Sequence, residues 1–502
     1  MSLFITVPLA RLQARADGHE GSALPRVLGR GDLLSLGIGA VIGAGIFVLT
    51  GQVAGTHTGP AIVLAMGLAG LASALAGLCY AEFAAAVPVS GSAYTYAYAT
   101  MGELVAWIIG WDLVLEYALS ASTVAVSWSG HLTSLLHDLG VPFPAALSAA
   151  PGTLVSTPGG PVTAVINLPA ILIVLALTGM LVAGMRESAR VNAVMVALKL
   201  TVIAVVVLGG IGFVVPAYWQ PFLPPNTGQF GEFGWSGVAR GAAVVFFAFI
   251  GFDAVSTAAQ DARDPQRDMP VGLLGSLAIC TVLYMAVSLV MVGLAPYTEM
   301  RESAAPMVLA LQHAAARASG SGLMVLTAMR WLVEIGALAG LTSVMLVTML
   351  GQSRIFFAMS SDGLLPAAAR RLHPRWRTPY VSTIVTGTGV AIAAGLTPIG
   401  VLAQLVSIGT LFAFVVVAIG VLVLRRSAPT LPRPFRVPWT PWLPLLSVVV
   451  SLGLMASLPR ETWERLVVWM GLGLIVYTAY GYRRSVLRRE QQALRAKETV
   501  NA

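Results

Sequence analysis

Charge is what this chain most lacks. Of its 502 residues only 10% are Asp, Glu, Lys or Arg, while 57% are hydrophobic; a soluble domain usually carries about a quarter charged. An ordinary soluble enzyme is excluded, and an integral membrane protein is expected. Cysteine is scarce as well: Cys79 and Cys280 both fall in apolar runs, which leaves neither a disulfide framework nor a metal cluster to build. Neither an HExxH nor a phosphate-binding GxxxxGKS/T pattern occurs, and His19, His57, His131, His137, His313 and His373 stand without partners at ligand spacing. No enzyme activity, metal or cofactor is therefore expected. The net charge of +8 is not gathered on one aromatic-laced patch, so no nucleic-acid partner is expected. The opening MSLFITVPLARLQARADG puts its apolar part before its arginines and has no small-residue cleavage site, which reads as no removable signal peptide.

What is present is a succession of apolar runs of about 20 residues. They predict an all-α membrane domain with twelve helices, near 33–57, 60–86, 98–131, 167–185, 190–215, 236–260, 270–296, 328–359, 380–397, 399–424, 441–458 and 463–482. Arginine is concentrated in both tails and in the connections after spans 4, 6, 8 and 10, while the other connections hold only Arg301, Arg317, Arg330, Arg460 and Arg465. That asymmetry places both termini in the cytoplasm. The stretch 132–166, nearly uncharged and rich in Pro, Gly, Ser and Thr, is read as a partly ordered outer loop. RRSVLRREQQALRAKE is read as a basic helix on the inner surface.

Span 1 contains LLSLGIGAVIGAGIFVLTG, with Gly37, Gly39, Gly43 and Gly45 where a membrane helix would normally continue. A helix broken there exposes N–H groups at the start of its second half, an anion site in hydrocarbon. Gly39 and Gly43 also form a small-xxx-small pair that lets another helix approach, so for this span alone both readings stand. Span 6, GAAVVFFAFIGFDAVSTAAQ, carries a second interruption at Gly251, five spans later. Two broken spans at matching positions of two five-helix halves are the sign of an inverted repeat with its binding site at the repeat interface. Around the first break, Ile42, Gly43, Ala44, Gly45 and Ile46 are candidates for holding a carboxylate, by the positive end of a half-helix. Around the second, the carbonyls of Phe247, Ala248 and Ile250 beside Gly251 suit an ammonium group, and Phe246, Phe247, Phe249 and Phe252 are candidates for an aromatic gate, of which one or two are expected to touch substrate. A backbone cage of this kind reads both ends of an amino acid without a charged side chain.

Lys199 in VMVALKLTVIAVVV is one of two lysines in the chain, the other being Lys497. About nine residues into span 5, near 14 Å, it is too deep to reach water comfortably and is expected to face the interior; the alternative is a lysine snorkelling to the inner interface. A lysine away from water can give up its proton, whereas an arginine keeps it, so Lys199 is the first candidate for proton coupling. Asp112 and Glu116, four apart on one face of span 3, are either a proton relay or a structural pair. Asp253, just after the second break, is a further proton-coupling candidate. Glu82 and Glu334 lie towards span ends and are expected at the interface.

The segments GAVIGAGIFVLTG (39–51), FFAFIGFDAVSTAAQDARDPQRDMP (246–270) and GQSRIFFAMSSDGLLP (351–366) resemble those of the cationic amino acid transporter branch of the amino acid-polyamine-organocation superfamily, over residues 26 to 482. The resemblance implies a leucine-transporter fold: a tail (1–30), two inverted repeats (31–215 and 216–424), two further helices (425–482) and a basic tail (483–502). It implies that Lys199 stands where sodium-coupled relatives hold the ion, bracing spans 1 and 8, so that the proton is the coupling ion and no sodium site is expected. Asp253 would take part in gating. Ala339, Gly340, Leu341 and Thr342, the span 8 segment expected near the substrate side chain, offer no carboxylate, which points to a neutral amino acid despite the branch name. Secondary active uptake across a bacterial inner membrane is the expectation, with exchange of amino acids or polyamines on the same scaffold as the alternative and a non-transporting sensor as the remoter one. The amino acid and membrane lipid are the expected partners; a small single-span membrane subunit is left open.

Overall fold

The computed structural model describes residues 4–8, 11–12, 26–43, 45–89, 91–157, 160–301, 303, 305–456 and 460–501. The chain is helical almost throughout. Its helices are α1 (Arg30–Val41), α2 (Ile62–Ala86), α3 (Ser92–Thr100), α4 (Glu103–Asp138), α5 (Leu168–Ala183), α6 (Met185–Gly210), α7 (Gly234–Val245), α8 (Pro265–Leu294), α9 (Pro306–Arg317), α10 (Gly320–Ser361), α11 (Tyr380–Leu396), α12 (Ile399–Ser427), α13 (Trp442–Ala456), α14 (Arg460–Val476) and α15 (Val486–Asn501). Seven helical stretches are long and apolar enough to cross a membrane: Thr50–Ala86, Glu103–Thr133, Ser188–Phe213, Gly234–Thr257, Pro265–Leu294, Gly320–Ser361 and Ile408–Ser427. Three more, Leu168–Ala183, Tyr380–Leu396 and Trp442–Ala456, are apolar but shorter. The chain is an integral membrane protein.

Two sets of helices pack side by side. In one, α8 lies against α1 and α2, and α2 against α7; in the other, α10 lies against α4 and α6, α11 against α5, and α12 against α4. Small residues set the first contact, since a Cβ on Gly70 or Gly77 of α2 would run into Thr281 or Leu277 of α8. The sets meet along α1, which touches both α6 and α10.

The predicted third span, 98–131, differs in detail: α3 is a separate short helix, and Gly102, with φ of +99°, turns the chain before α4 begins at Glu103. The loop 132–166 is partly ordered, as expected. Its start continues α4 to Asp138, and an antiparallel hairpin pairs Leu154–Thr157 with Gly160–Thr163.

Both tails fold back onto one end of the bundle. The Glu103 N–H donates to the Ile5 carbonyl at 3.0 Å and the Val7 N–H to that of Tyr98 at 3.2 Å. From the other tail, Arg488 Nε donates to Glu103 Oε1 at 2.6 Å, and Tyr477, in the turn just after α14, donates its hydroxyl to the same oxygen at 2.8 Å. At this end Glu82 is not the interfacial acid expected. It is buried, accepts Arg425 Nε and Nη2 at 2.9 and 2.6 Å and the Val437 N–H at 2.6 Å, and so joins α2 to α12 and the connection beyond. Glu334 is buried too, within 4.0 Å of Arg330 one turn earlier on α10.

Candidate functional site

Helix α1 stops where its glycines predict. Ile42 has left helical geometry, with ψ of 100°, and the chain restarts as a π turn over Gly45–Leu49 before continuing through Thr50–Val53. Ala44 lies outside the described residues. Ile42 and Ile46 are buried. Close packing is present as well: a Cβ on Gly43 would fall 2.7 Å from Val344 Cγ2 of α10, and one on Gly45 would fall 2.6 Å from Ala248 Cα. The interruption and the close packing therefore occur together. The chain breaks, and the break is pressed against its neighbours.

The second interruption follows the same logic. Helix α7 tightens into a 3-10 turn over Phe246–Phe249, Ile250 is extended with ψ of 139°, and Gly251 takes φ of +112°, a conformation that disfavours any side chain. Helix resumes at Ala254–Thr257. The Gly45 to Ala248 contact brings the two breaks face to face. Tyr284 of α8 fixes them: its hydroxyl lies 2.7 Å from the Val41 carbonyl oxygen and 2.9 Å from that of Ala248. Phe247 O accepts the Ile250 N–H at 3.2 Å. A carbonyl has two lone pairs, so each of these oxygens keeps room for a second donor. Of the aromatic run, Phe246 and Phe252 pack on Phe414 of α12, and Phe249 meets Tyr284 edge-on; only Phe247 is half-buried. Leu341 is buried on α10 beside Gly340, which faces the Phe47 ring.

Lys199 is fully buried on α6 and points at the end of α1. Its ammonium donates to Gly39 O at 2.9 Å, Ile42 O at 2.8 Å and Ser343 Oγ at 2.6 Å. Three donors thus meet three acceptors from two other helices. The carbonyls it takes belong to the last turn of α1, which the helix itself leaves unsatisfied and where the helix dipole favours a cation. The snorkelling alternative is set aside by this geometry.

The acidic candidates fall into one neighbourhood. Asp253 accepts the Gly251 N–H at 3.3 Å and the hydroxyl of Tyr117 from α4. Glu116 adjoins Tyr117 in sequence. Asp112, one turn earlier, faces Gly409 of α12, where a Cβ would fall 2.8 Å from its Oδ1. The carboxylate oxygens of Asp112 and Glu116 are buried and have no hydrogen-bond partner among the described residues.

Tyr284, Ser343 and Tyr117 contact the candidate site and are not singled out by the sequence. Ser343 directly follows the span 8 segment singled out for the substrate side chain. The two tyrosines carry no pattern of their own.

Comparison with known proteins identifies the family. Residues 28–482 match the family model described as amino acid permease. The chain is 44% identical to a methylthioribose transporter of Bacillus subtilis (strain 168), over 97% of this chain and 100% of that protein. It is also 44% identical to the branched-chain amino acid permease BcaP of the same organism, over 97% and 99%. It is 38% identical to the vacuolar cationic amino acid transporter 4 of Arabidopsis thaliana, over 81% of this chain and 64% of that one.

Proposed function

Since this chain belongs to the amino acid permease family, we propose that it takes up a neutral amino acid together with a proton, by alternating access across a bacterial inner membrane. Both termini face the cytoplasm on this reading, and residues 31–215 and 216–424 form two inverted five-helix halves followed by two further helices.

The observation that carries the reading is the meeting of the two helix breaks beside the Lys199 ammonium. The start of the second half of span 1, at Gly45 and Ile46, offers positive partial charge to a carboxylate. The Phe247 and Ala248 carbonyls at the end of the first half of span 6 offer negative partial charge to an ammonium. Lys199 occupies the carbonyls of Gly39 and Ile42 that a sodium ion would need, which supports the proton as coupling ion. Loss of that proton leaves a neutral amine that holds α1 to α10 less strongly, and closure on substrate shifts the balance towards opening at the end that carries the tails. Asp253, Glu116 and Asp112 are the carboxylates that pass or hold the proton on the way. The absence of a carboxylate in Ala339–Thr342 supports a neutral side chain, in keeping with the name of the branched-chain relative.

A purified, reconstituted chain tests this directly. Branched-chain amino acid uptake into liposomes should rise with an inward proton gradient in the absence of sodium. Equal rates with and without the gradient overturn proton coupling, and counterflow without any gradient identifies an exchanger. The equally similar methylthioribose carrier supplies the second reading. Methylthioribose has neither a carboxylate nor an ammonium group, so if it competes while amino acids do not, the two-ended backbone site is not what selects the substrate.

A further inference from the structure

Arg354 of α10 is 1% exposed, and its guanidinium is only partly used. Nη2 donates to Oδ1 of Asp261 at 3.1 Å, and Asp261 is itself fully buried. Among the described residues Nε and Nη1 meet no acceptor, and Asp261 Oδ2 meets no donor. Beside Arg354 lies a cavity of about 10 Å³ whose polar lining is Ser188, Ser353, Thr378 and Thr383. All four hydroxyl protons are committed to carbonyls: Ser188 to Gly184 at 2.8 Å, Ser353 to Leu350 at 2.8 Å, Thr378 to Val182 at 2.8 Å and Thr383 to Pro379 at 3.0 Å. What remains for the cavity is lone pairs. Apart from Arg354, which also lines the cavity, these side chains accept and do not donate, so they suit a guanidinium, directly or through the single water that this volume holds.

The two sets of acceptors belong to different parts of the molecule. Asp261 follows the resumed helix of span 6 and is tied to the start of span 1, the Leu28 N–H donating to Asp261 O at 2.9 Å and the Arg263 N–H to Leu28 O at 2.9 Å. The hydroxyls belong to α6, α10 and α11 and to the residue pair that opens α11. We propose that Arg354 is a two-position cation, bound to Asp261 while the terminus-bearing end is shut and turned onto the Ser188, Ser353, Thr378 and Thr383 oxygens when the broken spans move away. The second seat keeps the buried charge hydrogen-bonded in both states, and the open state becomes reachable because of it. This rests on the alternating-access reading above.

The test is the double variant Ser188→Ala/Thr383→Val, reconstituted beside wild type and the conservative Thr383→Ser. Counterflow should slow about tenfold or more in the double variant, because two acceptors are lost only to the open state. Substrate affinity in detergent should be unchanged. A cysteine at Leu28, labelled by an impermeant maleimide from the side bearing the termini, should react correspondingly more slowly in the double variant and at the wild-type rate with Thr383→Ser. Wild-type counterflow in the double variant overturns the proposal. So does a variant of lower thermal stability whose Leu28→Cys labelling is unchanged, and so does equal slowing by Thr383→Ser and the double variant. Failure of alternating access itself looks different: wild type shows no counterflow, and Leu28→Cys labelling ignores substrate.

Discussion

Lys199 and Ser343 meet at 2.6 Å, ammonium to hydroxyl, at the point where α6, α10 and the broken end of α1 converge. Ser343 in turn lies 2.9 Å from Gly39 O, so lysine, serine and helix end close a ring of contacts. Lys199→Ala empties that ring. Concentrative uptake in liposomes should fall to background while equilibrium binding of substrate persists, and a mutant that still accumulates substrate makes the lysine structural. Ser343→Ala removes one of three acceptors, and its uptake should fall only partly.

Gly45 has no room for a side chain. Gly45→Ala would press a methyl group into Ala248 across the two breaks, where backbone Cα stands 2.6 Å away. Uptake should be lost by both rate and affinity, and overpacking of this kind costs about 1–3 kcal/mol of stability, to be read as a lowered Tm of the purified protein.

Tyr284→Phe keeps the edge-on contact with Phe249 but withdraws the hydroxyl from the Val41 and Ala248 oxygens. A buried carbonyl that loses its donor costs about 1–3 kcal/mol. The apparent KM should change more than the maximal rate, since Ala248 O is one of the oxygens proposed to receive the substrate ammonium. An unchanged KM separates Tyr284 from the binding site.

Glu103 and Arg488 form a buried pair at the end that carries the tails. Glu103→Gln strands a buried guanidinium and should destabilise the protein by about 3–5 kcal/mol. Glu103→Leu combined with Arg488→Leu strands no charge and should recover much of the loss in thermal unfolding. Equal Tm values for the single and double variants would show that burial of the charge is not what matters there.

Both breaks were legible in the sequence because glycine and the five-span spacing announce them, and Lys199 because it is a lone lysine in an apolar run. The contacts that complete the site were not. Tyr284 reaches Val41 across 243 residues and Lys199 reaches Ser343 across 144, and no local periodicity encodes such pairings. Glu82 misled for the same reason: its position near a span end suggested water, but Arg425 waits 343 residues later. Arg354 and Asp261 stand inside two of the motifs that carry the family resemblance, yet only their packing reveals that they are partners.

The clasp between the tails has a consequence for biosynthesis. Glu103 is made 385 residues before Arg488, an interval of about 20–80 s at ordinary elongation rates. Throughout that interval the nascent carrier holds an acid at the start of α4 whose cation has not left the ribosome. Only a polypeptide that reaches α15 can give that carboxylate its guanidinium; one truncated before α15 leaves Glu103 with neutral hydroxyls, those of Tyr98 and Tyr477 among them, to stabilise a buried charge.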